Sequence, residues 1–131
     1  MTKRKKFKIS AEVFAIGSVG YSVIEILWRG NTHWTMTLTG GACLTTLYYL
    51  YDRFQAQPLW KKALTGATVI TAFEFVVGCI VNLALHWNVW NYEKLPGNIL
   101  GQICPLFYLL WFLLSIPVVF LCSSLQKQLT K

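Results

Sequence analysis

Glu74 is the one Asp, Glu, Lys or Arg between Lys62 and Glu93, and it sits near the middle of the otherwise uncharged stretch 63–85. A carboxylate there can bind a proton or a cation. Left ionised and facing hydrocarbon it would be costly, so it should face the protein interior, be protonated, or be paired. Gly78 and Asn82 follow at four-residue steps and His86 continues the row, which on a helix places one polar side chain above another with a gap between them. Earlier in the chain Ser18, Ser22, Glu25 and Arg29 recur at three- or four-residue spacing. They form a polar stripe in which Glu25 and Arg29, one turn apart, can pair. The chemistry these residues suggest is a polar intramembrane site built from Glu25, Arg29, His33, Glu74, Asn82 and His86. Arg29, His33 and His86 are the cations nearest to Glu74, and a water-filled space open to the outer face would have to join their levels.

The elements that must position this site are membrane helices. Hydrophobic residues make up 55% of the 131-residue chain and charged ones only 13%, with a mean hydropathy of +0.47. Crossing about 30 Å of hydrocarbon takes roughly 20 mainly apolar residues. Four stretches qualify, at about 9–28, 34–51, 63–85 and 104–122. They use most of residues 1–131, so the expectation is a single all-α membrane domain, a four-helix bundle. A secretory leader is the alternative for the first stretch, but no small-residue cleavage site follows it and Glu25 and Arg29 do.

Ten of the twelve Lys and Arg residues lie before the first stretch, in 53–62, or after the last. The positive-inside rule then places both termini in the cytoplasm and the protein in the cell membrane as a multi-pass protein. The same topology accounts for the net charge of +7 without nucleic acid, since the cations are divided among helix flanks and no aromatic stacking platform accompanies them. The basic N-terminal tract can also rest on anionic headgroups. Cys43, Cys79, Cys104 and Cys122 show no metal-ligand spacing and read as apolar packing residues, so neither a metal nor a cofactor is expected.

Two segments complete the picture. The second helix carries Thr35, Thr37, Thr39, Gly40, Gly41, Thr45 and Thr46, a composition suited to close helix packing. Between the third and fourth helices, 86–103 combines Trp87, Trp90 and Tyr92 with Leu95, Ile99, Leu100 and Ile103. With Trp34 these aromatics should line the outer mouth. The segment is too apolar for plain solvent exposure and is expected to be interfacial or re-entrant. Pro105 suits a first helical turn, and Pro117 interrupts the ladder of the last helix.

The ordered strings Gly20-Tyr21 to Ile24-Glu25, Arg29-Gly30, His33-Trp34-Thr35-Met36, Gly40-Gly41, Phe73-Glu74-Phe75, Gly78 to Asn82, Trp87 to Trp90 and Asn98 to Cys104 resemble the ABC-transporter type IV (CmpB) family of small bacterial and prophage membrane proteins. The similarity runs over about 17–115. A more distant one is to the transmembrane protein 229 family. One departure stands out: the family's Trp-Asp-Tyr is here Trp90-Asn91-Tyr92, with Glu93 next.

The resemblance implies a transporter or transporter subunit. No Walker A motif is present, so an ATPase would be a separate ATP-binding subunit. Four short helices enclose little volume, which favours a homo-oligomer or a partner membrane protein in the bilayer. A non-catalytic structural or interaction protein, phage-encoded if the prophage likeness holds, is the alternative. An intramembrane enzyme using Glu25 and Glu74 as acid and base is less supported, for want of a Ser/His or metal constellation.

Overall fold

The computed structural model describes residues 2–30 and 32–130, apart from the side chain of Arg29. Among the described residues the chain is all-helical: α1 Lys3–Arg29, α2 Trp34–Arg53, α3 Leu59–Gly78 continuing into a π-helical segment Cys79–Ala84, and α4 Pro105–Leu129. It divides into two compact units, Met1–Gln55 with Leu121–Lys131, and Ala56–Phe120.

α1 begins six residues before the expected apolar stretch, at Lys3, because the Thr2 hydroxyl accepts from the Lys5 amide at 3.1 Å and caps the basic turn. It ends at Gly30, whose left-handed backbone (φ 81°) lets its amide close onto the Ile26 carbonyl at 2.8 Å. His33 then opens α2 by accepting at Nδ1 from the Thr35 amide at 3.3 Å. The two helices pack backbone to backbone. A β-carbon added at Gly17 would lie 2.7 Å from the Gly40 carbonyl oxygen, and one added at Gly41 would lie 2.8 Å from that of Phe14. Hydroxyls bridge the seam on either side of this contact: Ser22 to Thr37 at 2.7 Å, and Ser10 to Tyr49. The small and hydroxylated residues of both helices thus serve close packing, as their composition predicts.

Three helices, Lys3–Trp28, Leu59–Ala84 and Pro105–Leu129, are long and apolar enough to cross a membrane. Their outward faces are apolar at helical spacing. Val19, Val23 and Ile26 are exposed on α1, and Leu106, Leu109, Leu113 and Phe120 on α4. Such stripes require lipid as their solvent. The protein is a multi-pass membrane protein. α2, expected as a fourth span, has the length at 20 residues but is not among the helices apolar enough, since threonine and tyrosine replace aliphatic residues along it. Its hydroxyls are nonetheless satisfied internally: Thr39, Thr45 and Thr46 donate to the carbonyls of Thr35, Gly41 and Ala42 at 2.6–2.8 Å.

Pro105 occupies the first position of α4, as its fixed φ favours, and the Tyr108 amide closes onto the Cys104 carbonyl at 3.1 Å. Pro117 lies inside the same helix.

Candidate functional site

Glu74, Gly78 and Asn82 line one side of α3 and its π-helical continuation, and all three are buried. The chain turns back immediately beyond them. The Leu85 amide closes onto the Ile80 carbonyl at 3.0 Å and that of Trp87 onto Val81 at 2.8 Å. His86 (φ 56°) and Asn88 (φ 51°) then both adopt left-handed backbone. The row expected to run on to His86 therefore stops at Asn82. His86 is exposed and serves the turn.

The reversal sends residues 89–92 back along α3. The Asn82 side-chain oxygen accepts from the amides of Val89 at 2.6 Å and Trp90 at 3.3 Å, while its Nδ2 donates to Gln102 Oε1 at 2.7 Å. The Trp90 indole N–H donates to the Gln102 carbonyl at 3.1 Å, and Gln102 Nε2 donates to the Leu100 carbonyl at 2.9 Å. Gly78 admits this clasp. A β-carbon there would lie 2.6 Å from Gln102 Oε1 and 2.8 Å from the Trp90 ring. The space that Gly78 opens between its polar neighbours is filled by the loop.

Two turns deeper the loop reaches Glu74. The Tyr92 hydroxyl donates to Glu74 Oε2 at 3.1 Å, with Tyr92 4% and Glu74 3% exposed. Tyr92 is held from both sides. Its ring stacks on Phe107 of α4 at 4.6 Å between centroids and 11° between planes, and its amide donates to the Gly101 carbonyl at 2.7 Å. A hydrogen bond from a neutral phenol to a buried carboxyl group, with an aromatic ring stacked on the phenol, is an arrangement in which the carboxyl group can hold a proton.

Asn91 and Glu93 are exposed, and the Asn91 side-chain oxygen accepts from the Glu93 amide at 2.9 Å. An aspartate at this position would offer the same acceptor, so the departure from Trp-Asp-Tyr preserves the turn.

Of the residues singled out in the sequence, the structure joins Glu74 to Tyr92 and Asn82 to Trp90. Glu25 is buried at 5% exposure within the other compact unit. His33, also in that unit, is half-buried, with Nδ1 2.7 Å from the Thr35 hydroxyl. The expected pairing of Glu25 with Arg29 depends on a side chain outside the described residues. Trp34 and Trp87 are exposed at 60% and 46%, as suits interfacial aromatics. Gln102 and Phe107 were not anticipated. A lone amide in the apolar run from Ile99 to Ile103 is the signal that could have marked Gln102.

Apolar outward faces, a threonine-rich packing helix and a polar row covered by its own loop define a helical, multi-pass membrane protein with a buried acid. The chain matches the family described as "Putative ABC-transporter type IV" (ABC_trans_CmpB) over residues 13–131, and it belongs to that family. No curated protein and no solved structure matches it.

Proposed function

We propose that this chain is a small transporter or transporter subunit of the cell membrane, with Glu74 as its proton- or cation-binding group. The observation that carries this reading is the burial of Glu74 within a membrane-crossing helix, with the Tyr92 hydroxyl on its carboxyl oxygen. A buried intramembrane carboxyl is costly to keep, and such groups mark ion pathways and proton relays. Glu25, on α1 in the other compact unit, is a second buried acid, with Arg29 and His33 after it in sequence. The family description supports an energy-coupled assembly. In that case a partner membrane protein or second copies of the chain complete the path, and a separate subunit hydrolyses ATP.

A membrane-soluble carbodiimide, which modifies carboxyl groups in apolar surroundings, tests the reading. It should label Glu74 in membranes and block ion flux through reconstituted vesicles. Flux that continues at full rate after stoichiometric labelling would exclude Glu74 from the path.

We further propose that both termini are cytoplasmic, which requires α2 to cross the bilayer together with the three more apolar helices. The internally bonded threonines of α2 and its close seam with α1 reduce the cost of that crossing. Single cysteines at Thr2 and Thr130 in a cysteine-free background should resist an impermeant thiol reagent applied to intact cells, while one at Asn98 should react. Reaction at one terminus alone would mean an odd number of crossings.

A structural role is the second reading, and the Asn82–Gln102–Trp90 clasp favours it, because that network is satisfied by its own members. The two readings separate on whether Glu74 can lose its carboxyl group without loss of function.

A further inference from the structure

Within the unit formed by α1, α2 and the last residues of α4, one end gathers most of the positive charge. α1 opens with Lys3, Arg4, Lys5, Lys6 and Lys8, all exposed, and has no acid in its first turn. The positive end of the helix dipole adds to that potential. α2 runs antiparallel, with Tyr49 bonded to Ser10 and its ring centroid 5.6 Å from the Lys6 ammonium, so Arg53 at the end of α2 arrives at the same level. Gln126 Nε2 donates to the Tyr48 carbonyl at 2.9 Å and so brings Lys127 there as well. Two acids nearby in sequence stand against these seven cations. Glu12 is half-buried, and Asp52 accepts a hydrogen bond from Gln55 at 3.0 Å.

Two further features select the partner. At 27 residues α1 is about 40 Å long, against about 30 Å of hydrocarbon, so its first turns extend to the phosphate level when its apolar body spans the bilayer. Phe7, among the cations, is 75% exposed. An exposed aromatic ring flanked by ammonium groups suits the acyl–headgroup boundary better than water or the surface of a soluble polyanion.

We infer that this basic end is a docking surface for anionic phospholipid headgroups, selecting them over zwitterionic ones. Native mass spectrometry of the purified full chain, offered phosphatidylglycerol and phosphatidylcholine together, reads this directly. The expected result is retention of phosphatidylglycerol at least about tenfold over phosphatidylcholine at low salt. The preference should shrink as ionic strength rises. Replacing all five α1 cations by Gln should remove it, and replacing the four lysines by Arg should keep it. Equal retention of the two lipids by the unaltered chain overturns the inference. So does a preference that survives the combined Gln substitution, or one displaced by single-stranded RNA but insensitive to headgroup charge. If the Gln variant does not fold, the salt dependence of the unaltered chain decides the matter.

Discussion

Glu74→Gln should leave the fold intact while abolishing ion flux, and Glu74→Leu should damage both. Gln is isosteric with Glu, and its carbonyl oxygen can still accept from the Tyr92 hydroxyl that now sits 3.1 Å from Oε2. What it cannot do is take up and release a proton. Leu removes this acceptor from a phenol that is 4% exposed, at a cost of about 1–3 kcal/mol. The measurements are thermal stability in detergent and flux in reconstituted vesicles, on the same preparations. Full flux through the Gln variant would remove Glu74 from the mechanism and favour the structural reading. A Leu variant as stable as the native chain would show that the bond to Tyr92 contributes nothing.

Asn82→Leu should be the most destabilising single change in the second compact unit. One side chain there accepts from two backbone amides and donates to Gln102 Oε1. Leu would leave the buried Trp90 amide and the Gln102 side chain without those bonds. At about 1–3 kcal/mol for each of these two stranded groups, the loss is on the order of 2–6 kcal/mol. Proteolysis within 86–103 should accelerate, since the clasp ties that segment to the helix. Asn82→Asp should be milder. It keeps the oxygen that Val89 and Trp90 use, and Gln102 can rotate its amide to donate to it, giving up the Leu100 carbonyl. The double variant Asn82→Leu with Gln102→Leu should cost less than the sum of the two single changes, because each removes the partner the other strands. Strict additivity would show that the two amides are not coupled.

Glu74 is the group proposed to exchange protons or cations, and Tyr92 donates a hydrogen bond to it. Asn82, Gln102 and Trp90 fix the loop that carries Tyr92 to it. A loss of flux after Asn82→Leu would therefore be indirect. It should be accompanied by increased access of impermeant reagents to residue 92, which Glu74→Gln should not produce.

Much of this molecule was legible in its sequence because the deciding information is local. Continuous apolar runs mark α1, α3 and α4, and the threonines and glycines of α2 mark a packing helix. Gly78 at a four-residue step from Glu74 marks a side of α3 that something must approach. The hydroxyl that reaches Glu74 was not legible. The sequence pointed to Arg29, His33 and His86, and gave no sign of the Tyr92 hydroxyl that the structure brings to Glu74 from a loop 18 residues away. Three conformational facts produce that contact, and none has a reliable local signature. After Gly78 the helix widens into a π-helical segment, which re-aims the following side chains relative to an unbroken α-helix. His86 and Asn88 take left-handed backbone and reverse the chain. Gln102 and Phe107 then return from the far side of the loop to lock Trp90 and Tyr92 in place. Composition and periodicity determined which helices are long and apolar enough to cross a membrane, and marked Glu74 as a carboxylate that should be buried. Only the tertiary structure decided which groups surround it, because residues distant in sequence meet through a chain reversal that depends on the packing it creates.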